Sequence, residues 1–137
     1  MAKTFTAPFA QTPKTASAVC VAAATITNDT PANTVELYTA GAEGALVTKL
    51  TAIPRATVTA TALYLYISKD SGTTKRLVDS ELMKAHTVAT TTAIPETKFE
   101  NISETTPIRL EAGDKLFVGV GVAKAEGIVF NVECTEF

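Results

Sequence analysis

The sequence predicts an all-β domain, an antiparallel β-sandwich or jelly roll of about eight strands led by an extended N-terminal arm. Three observations predict it. Short runs of alternating apolar and polar residues recur at intervals of roughly 8–15 residues, separated by clusters of turn formers. β-branched residues dominate those runs, with 24 Thr in a chain of 137 residues, as a pleated, half-buried surface prefers. No segment carries a helical stripe of useful length, so strands do not alternate with helices and a parallel α/β sheet is excluded.

Residues 1–16, MAKTFTAPFAQTPKTA, set Thr, Pro and Lys among Phe5 and Phe9. They read as an arm distinct from the body at 17–137. Its anchors to a partner are Phe5, Pro8, Phe9 and Pro13, because an arm of this composition frays unless something holds it. Segment 17–27, SAVCVAAATIT, places Val19 and Val21 on one side and Ala18, Cys20 and Ala22 on the other. NDTPAN, 28–33, is dense in turn formers. Strands are expected over 34–40 (TVELYTA) and 45–53 (ALVTKLTAI), with GAEG between them. The strongest strand is 57–68, TVTATALYLYIS, where Leu63, Leu65 and Ile67 share one face and Tyr64 and Tyr66 the other.

KDSG, 69–72, reads as the tip of a hairpin. Segment 74–83, TKRLVDSELM, could suit a short helix, yet a strand is expected after a hairpin turn. A β-branched run at 86–94, HTVATTTAI, predicts another strand, and 96–106 reads as a polar loop. A short strand is expected at 107–111. The runs at 115–123 and 128–135 are expected to pair as a closing hairpin across KAEG, 124–127. Ile128, Phe130, Val132 and Cys134 share one face of the last strand. Gly119 and Gly121 lie on one face of a strand, which signals a bend or a close backbone approach.

Apolar residues make up 46% of the chain and charged residues 19%, which excludes general disorder. The net charge of −2 leaves no broad basic surface for nucleic acid. No run reaches the length of a membrane span. The stretch from Ala16 to Ile26 imitates a signal-peptide core, but it is Ala-rich and preceded by Pro8 and Pro13, so it is not expected to act as one. Cys20 and Cys134 are either two buried thiols or a bond joining the first and last strands; a bond requires their Cα atoms within about 7 Å.

No pattern of catalytic chemistry stands out. His86 is the single histidine, and its spacing to Cys20 and Cys134 matches no zinc motif. Neither a nucleophile–base set nor a phosphate-binding loop is legible. No catalytic, cofactor-binding or metal-binding residue is assigned, and an enzyme is not expected. Lys69, Lys75, Arg76 and Lys84 form a loose basic group near one hairpin, a solvated turn before it is an anion-binding foot.

The opening FAQTPKTASAVCVAAATI, 9–26, resembles the start of small structural proteins encoded in the head modules of tailed bacteriophages. IRLEAGDKLFVGVGV, 108–122, resembles the hairpin entry of jelly-roll virion proteins. The resemblance implies a capsid decoration, or cement, protein. Such a protein would bind the outer surface of the shell, clamp neighbouring capsomers and take the major capsid protein as partner. It would be made in the host cytoplasm and end in the virion, as a homo-oligomer with a trimer expected before a dimer. It would need no cofactor, membrane or nucleic acid. The alternative is a tail-fibre or receptor-binding module with a carbohydrate site, where Tyr38, Tyr64 and Tyr66 could stack on a sugar.

Overall fold

The computed structural model describes residues 12–137. Nine strands follow one another: β1 (Thr12–Cys20), β2 (Val35–Thr39), β3 (Ala45–Pro54), β4 (Thr61–Ser68), β5 (Arg76–Met83), β6 (Thr97–Lys98), β7 (Ile108–Leu110), β8 (Lys115–Val120) and β9 (Ile128–Glu136). No helix occurs among the described residues. The first sheet runs β1-β9-β3-β6, with β7 also on β3, and the second runs β2-β8-β4-β5. All the ladders between strands are antiparallel. The sheets pack face to face as a β-sandwich, with β1 against β2 on one flank and β5 beside β6 on the other.

The alternation that predicts the strands also builds the core. β9 buries Ile128, Phe130, Val132 and Cys134 while Asn131 and Glu133 face water. β4 turns Leu63 and Leu65 inward, and Val118 and Val120 of β8 lie beside them. Leu50 and Val47 of β3 complete the opposing wall. Burial of such side chains stabilises by roughly 1.5–3 kcal/mol each before the chain-ordering cost. The hairpin across 69–72 forms as expected: β5 is a strand paired with β4.

Four expectations change. β1 spans Thr12–Cys20, so residues 12–16, read as the end of the arm, are ladder residues on β9, Pro13 among them. Phe5, Pro8 and Phe9 lie outside the described residues. The run at 86–94 is not a strand; His86 makes an isolated bridge to Val58. That run offers no apolar side to bury, and β-branching without burial does not make a ladder. The polar loop at 96–106 contains β6 and sends Phe99 and Ile102 fully into the core. The rings of Phe99 and Phe130 lie 6.5 Å apart.

The largest change concerns β8 and β9, which do not form a hairpin. The KAEG turn forms, with Gly127 N–H donating to Lys124 O over 2.9 Å, but it leads from one sheet to the other. β8 is buried on both faces over Leu116–Val120. It lies between β2 and β4, and β9 between β1 and β3. Each is a central strand with two neighbours, a position that a hairpin at a sheet's edge would not supply to both.

Candidate interaction surface

The outer face of the second sheet is in two halves. Ala62, Tyr64 and Tyr66 of β4 share this face with Phe117 and Gly119 of β8, because Tyr64 pairs with Gly119 and Tyr66 with Phe117. Leu77, Ser80 and Leu82 of β5 complete it. After Cys20 the chain leaves the first sheet, and residues 21–34 cross one half as a strap. Ala24 N–H donates to Val120 O at 2.8 Å, and Lys75 N–H donates to Asp29 O at 2.8 Å. The Tyr66 hydroxyl donates to Thr25 O at 2.7 Å. Arg76 pairs with Asp29 at 3.3 Å. The strap lies so close that a Cβ on Gly119 would come within 2.7 Å of the Ala24 Cβ; this is the close approach the glycine predicts. Tyr66 is 1% exposed, and desolvation pushes its phenol up to about 12.

No described residue crosses the other half. Tyr64 is half-buried, its ring edge-on to Tyr66 at 6.3 Å. Its hydroxyl has no hydrogen-bond partner among the described residues. Leu82 on the neighbouring strand is 58% exposed. Both tyrosines point to the side the alternation predicts; only one is covered.

Among the described residues β5 is the outermost strand on this flank. It exposes Leu77 (41%) and Val78 (48%) as well as Leu82. The ladder shifts register between Leu65 and Tyr66, which leaves Val78 unpaired as a bulge. Asp79 and Glu81 lie on the inner side, opposite Leu65 and Leu63. Asp79 Oδ1 accepts from Ser80 N–H at 2.9 Å and from the Asn101 amide at 3.2 Å. Glu81 accepts from Glu100 N–H at 3.3 Å. Two hollows flank the strand. One, of about 490 Å³, is lined by Ile67, Arg76 and Val78. The other, of about 370 Å³, lies between β5 and β6 and mixes apolar residues such as Leu82, Met83 and Pro95 with charged ones such as Glu81, Glu96 and Lys98.

β1, the outermost strand of the first sheet, differs. It exposes Thr12, Pro13, Lys14 and Thr15. Pro and Lys are residues that blunt an edge against further pairing.

The remaining candidates are scattered. Cys20 and Cys134 are free and buried. In the ladder Cys20 pairs with Ile128 and Lys14 with Cys134, so six positions of β9, about 20 Å at strand rise, separate the two thiols and no bond joins them. Burial pushes both thiols up to about 12, which leaves them unreactive near neutrality. His86 lies apart from both, beside the smaller hollow. Among the described residues no three His, Cys, Asp or Glu side chains gather closely enough to hold a metal ion. No helix there is long and apolar enough to cross a membrane. Tyr38 donates to the Glu136 carboxylate, and burial followed by that carboxylate raises its phenol. The basic group is largely tied up. Lys69 reaches Asp114 at 2.7 Å, and Lys75 sits 4.6 Å over the Phe117 ring. Leu77, Val78 and Leu82 escape a sequence reading as surface residues, although three large apolar residues in a charged outer strand are the signal that marks them.

No protein-family model, curated protein or solved structure matches the chain.

Proposed function

We propose that this chain is a structural protein of the tailed-phage virion that binds the outer surface of the capsid and ties neighbouring capsomers together, with the major capsid protein as its partner. One observation carries the reading: an open sheet edge, β5, that presents Leu77, Val78 and Leu82 to solvent beside the half of the outer face that no described residue crosses. Three large apolar side chains exposed along one edge strand are what a place of contact would present. The strand order supports the jelly-roll part of the reading. With the short β7 set aside, the first, eighth, third and sixth strands face the second, seventh, fourth and fifth. Such an order is what two Greek keys wound as a jelly roll would give, an architecture shared by capsid proteins, lectins and cupins. Because a fold hosts many functions, the reading rests on the edge rather than on the winding.

The test is co-sedimentation with DNA-free heads built from the major capsid protein of the same genome. The wild-type chain is expected to pellet with the heads and to saturate, and Leu77→Lys/Leu82→Lys to stay in the supernatant. A wild-type chain that never pellets overturns the proposal. The alternative, a carbohydrate-binding module, is favoured by Tyr64, whose hydroxyl has no partner among the described residues. A glycan-array signal lost on Tyr64→Ala, with no binding to heads, establishes the alternative instead.

A further inference from the structure

We infer that β5 takes up residues 3–9 of a second copy of this chain as an added strand, so that copies join through the arm of one and the edge of the next. The inference shares its site with the surface-contact reading above and names an occupant for it. An edge strand accepts a partner through main-chain hydrogen bonds, and pockets beside it choose the side chains. β5 provides the open edge and the two hollows, which lie at positions 76–78 and 81–83. Ser80 N–H is already bonded to Asp79, so an added strand gains its bonds on either side of it, beside the hollows.

Charge argues against β5 pairing with itself. A twofold pairing centred on Ser80 sets Leu77 opposite Leu82, keeping the bulge at Val78, but it also sets Asp79 opposite Glu81 twice. Like charges directly opposite are destabilising. The arm has the complementary character. Residues 1–16 hold Lys3 and Lys14 and no Asp or Glu. Lys3, Phe5, Ala7 and Phe9 alternate, so in an extended strand they share one side. Four residues of strand set Phe5 and Phe9 about 13 Å apart, matching the four residues of β4 that separate Tyr66 and Ala62, the partners of Leu77 and Leu82. Lys3 on that same side faces the Asp79 and Glu81 flank. Pro8, which lacks an N–H, is tolerated in a strand whose other edge is free.

The geometry of the ends points to a second copy. The arm joins β1 at Thr12, and β1 packs against β2, on the flank opposite β5. β1 cannot serve as the acceptor, because Pro13 and Lys14 guard it.

The experiment uses the full chain in solution, with light scattering over a concentration series. The expected result is a mass that is a multiple of 14.4 kDa. Phe5→Ser/Phe9→Ser and, separately, Val78→Lys/Leu82→Lys should each weaken association on the order of 100-fold, as loss of buried apolar anchors does. The thermal midpoint of each variant shows that the body stays folded. Mixing Phe9→Cys chains with Val78→Cys chains and oxidising should give a dimer holding one of each. A wild-type chain monomeric at every concentration overturns the inference, as does association that neither double substitution disturbs. A chain carrying both cysteines that closes on itself as a monomer overturns it too, by placing the arm on its own β5. Binding to heads is scored separately. A monomer that still pellets with heads sinks the added strand and spares the capsid reading; self-association through these residues without head binding does the reverse.

Discussion

Tyr66 and Tyr64 leave β4 two residues apart and on the same side, yet one is 1% exposed with its hydroxyl bonded and the other is half-buried with none. The strap at 21–34 makes the difference. It arrives from the opposite sheet, and Gly119 lets it come within van der Waals contact of β8. The pattern of a strand fixes the side on which a residue emerges. What then covers that side depends on a segment far away in the chain. A face half covered by its own chain and half crossed by no described residue is thus divided into a structural part and a part available for contact.

The largest effect that sharpens this contrast is truncation. Tyr66→Ala should cost about 3–5 kcal/mol, in the range for large aromatic side chains in a core. Tyr64→Ala should cost about 1 kcal/mol or less, as a surface change does. Urea midpoints of the two variants measure both, and equal losses would erase the distinction between the halves. Next comes the glycine pair. Gly119→Ala drives a methyl into Ala24 and the strap, an overpacking of about 1–3 kcal/mol. Gly121→Ala meets the tip of Tyr64 at 3.0 Å, a ring free to swing toward solvent, and should cost less than half as much.

Alkali tests the covered half. The Tyr66 phenol titrates near 10 in the open chain and at about 12 in the fold. The stability it carries is therefore full below pH 10 and is lost as pH climbs through about 12, on the order of 2 kcal/mol. Cys20 and Cys134, raised from 9.0 to about 12, add losses of the same sign that begin from pH 9. Tyr66→Phe should blunt the alkaline fall seen in urea midpoints between pH 10 and 12. Tyr66→Phe at pH 7 should cost about 1 kcal/mol, for the lost bond to Thr25.

β4 and β9 were legible in the sequence because each buries one side and alternates accordingly, whereas β5, which buries only Met83, was legible from the hairpin turn before it. The strap's close approach was legible at Gly119, though not what approached. The pairing of β8 and β9 was not, since a turn such as KAEG specifies a reversal and says nothing about which sheet the next strand joins. Phe99 and Ile102 were hidden by acidic neighbours, although two large apolar residues three apart in such a stretch announce an insertion into the core. Thr-rich 86–94 shows the opposite error, β propensity with nothing to bury. For the candidate site, the aromatic side of β4 was readable. The open edge of β5 was not, because which strand ends a sheet is decided by the whole winding. The proposed fit of Phe5 and Phe9 draws on residues that the sequence singles out and on hollows that only the fold reveals.

Thr12 and Glu136 are partners at the same end of the β1–β9 ladder, and that placement has a mechanical consequence. A force drawing the two ends of the body apart would unzip the ladder one rung at a time, the weak direction for paired strands. A pull on Thr12 directed along the strand, as tension through the arm would deliver, loads the whole ladder from Thr12 to Cys20 in shear. The body is weak when tugged open at its own seam and strong when hauled by its leash.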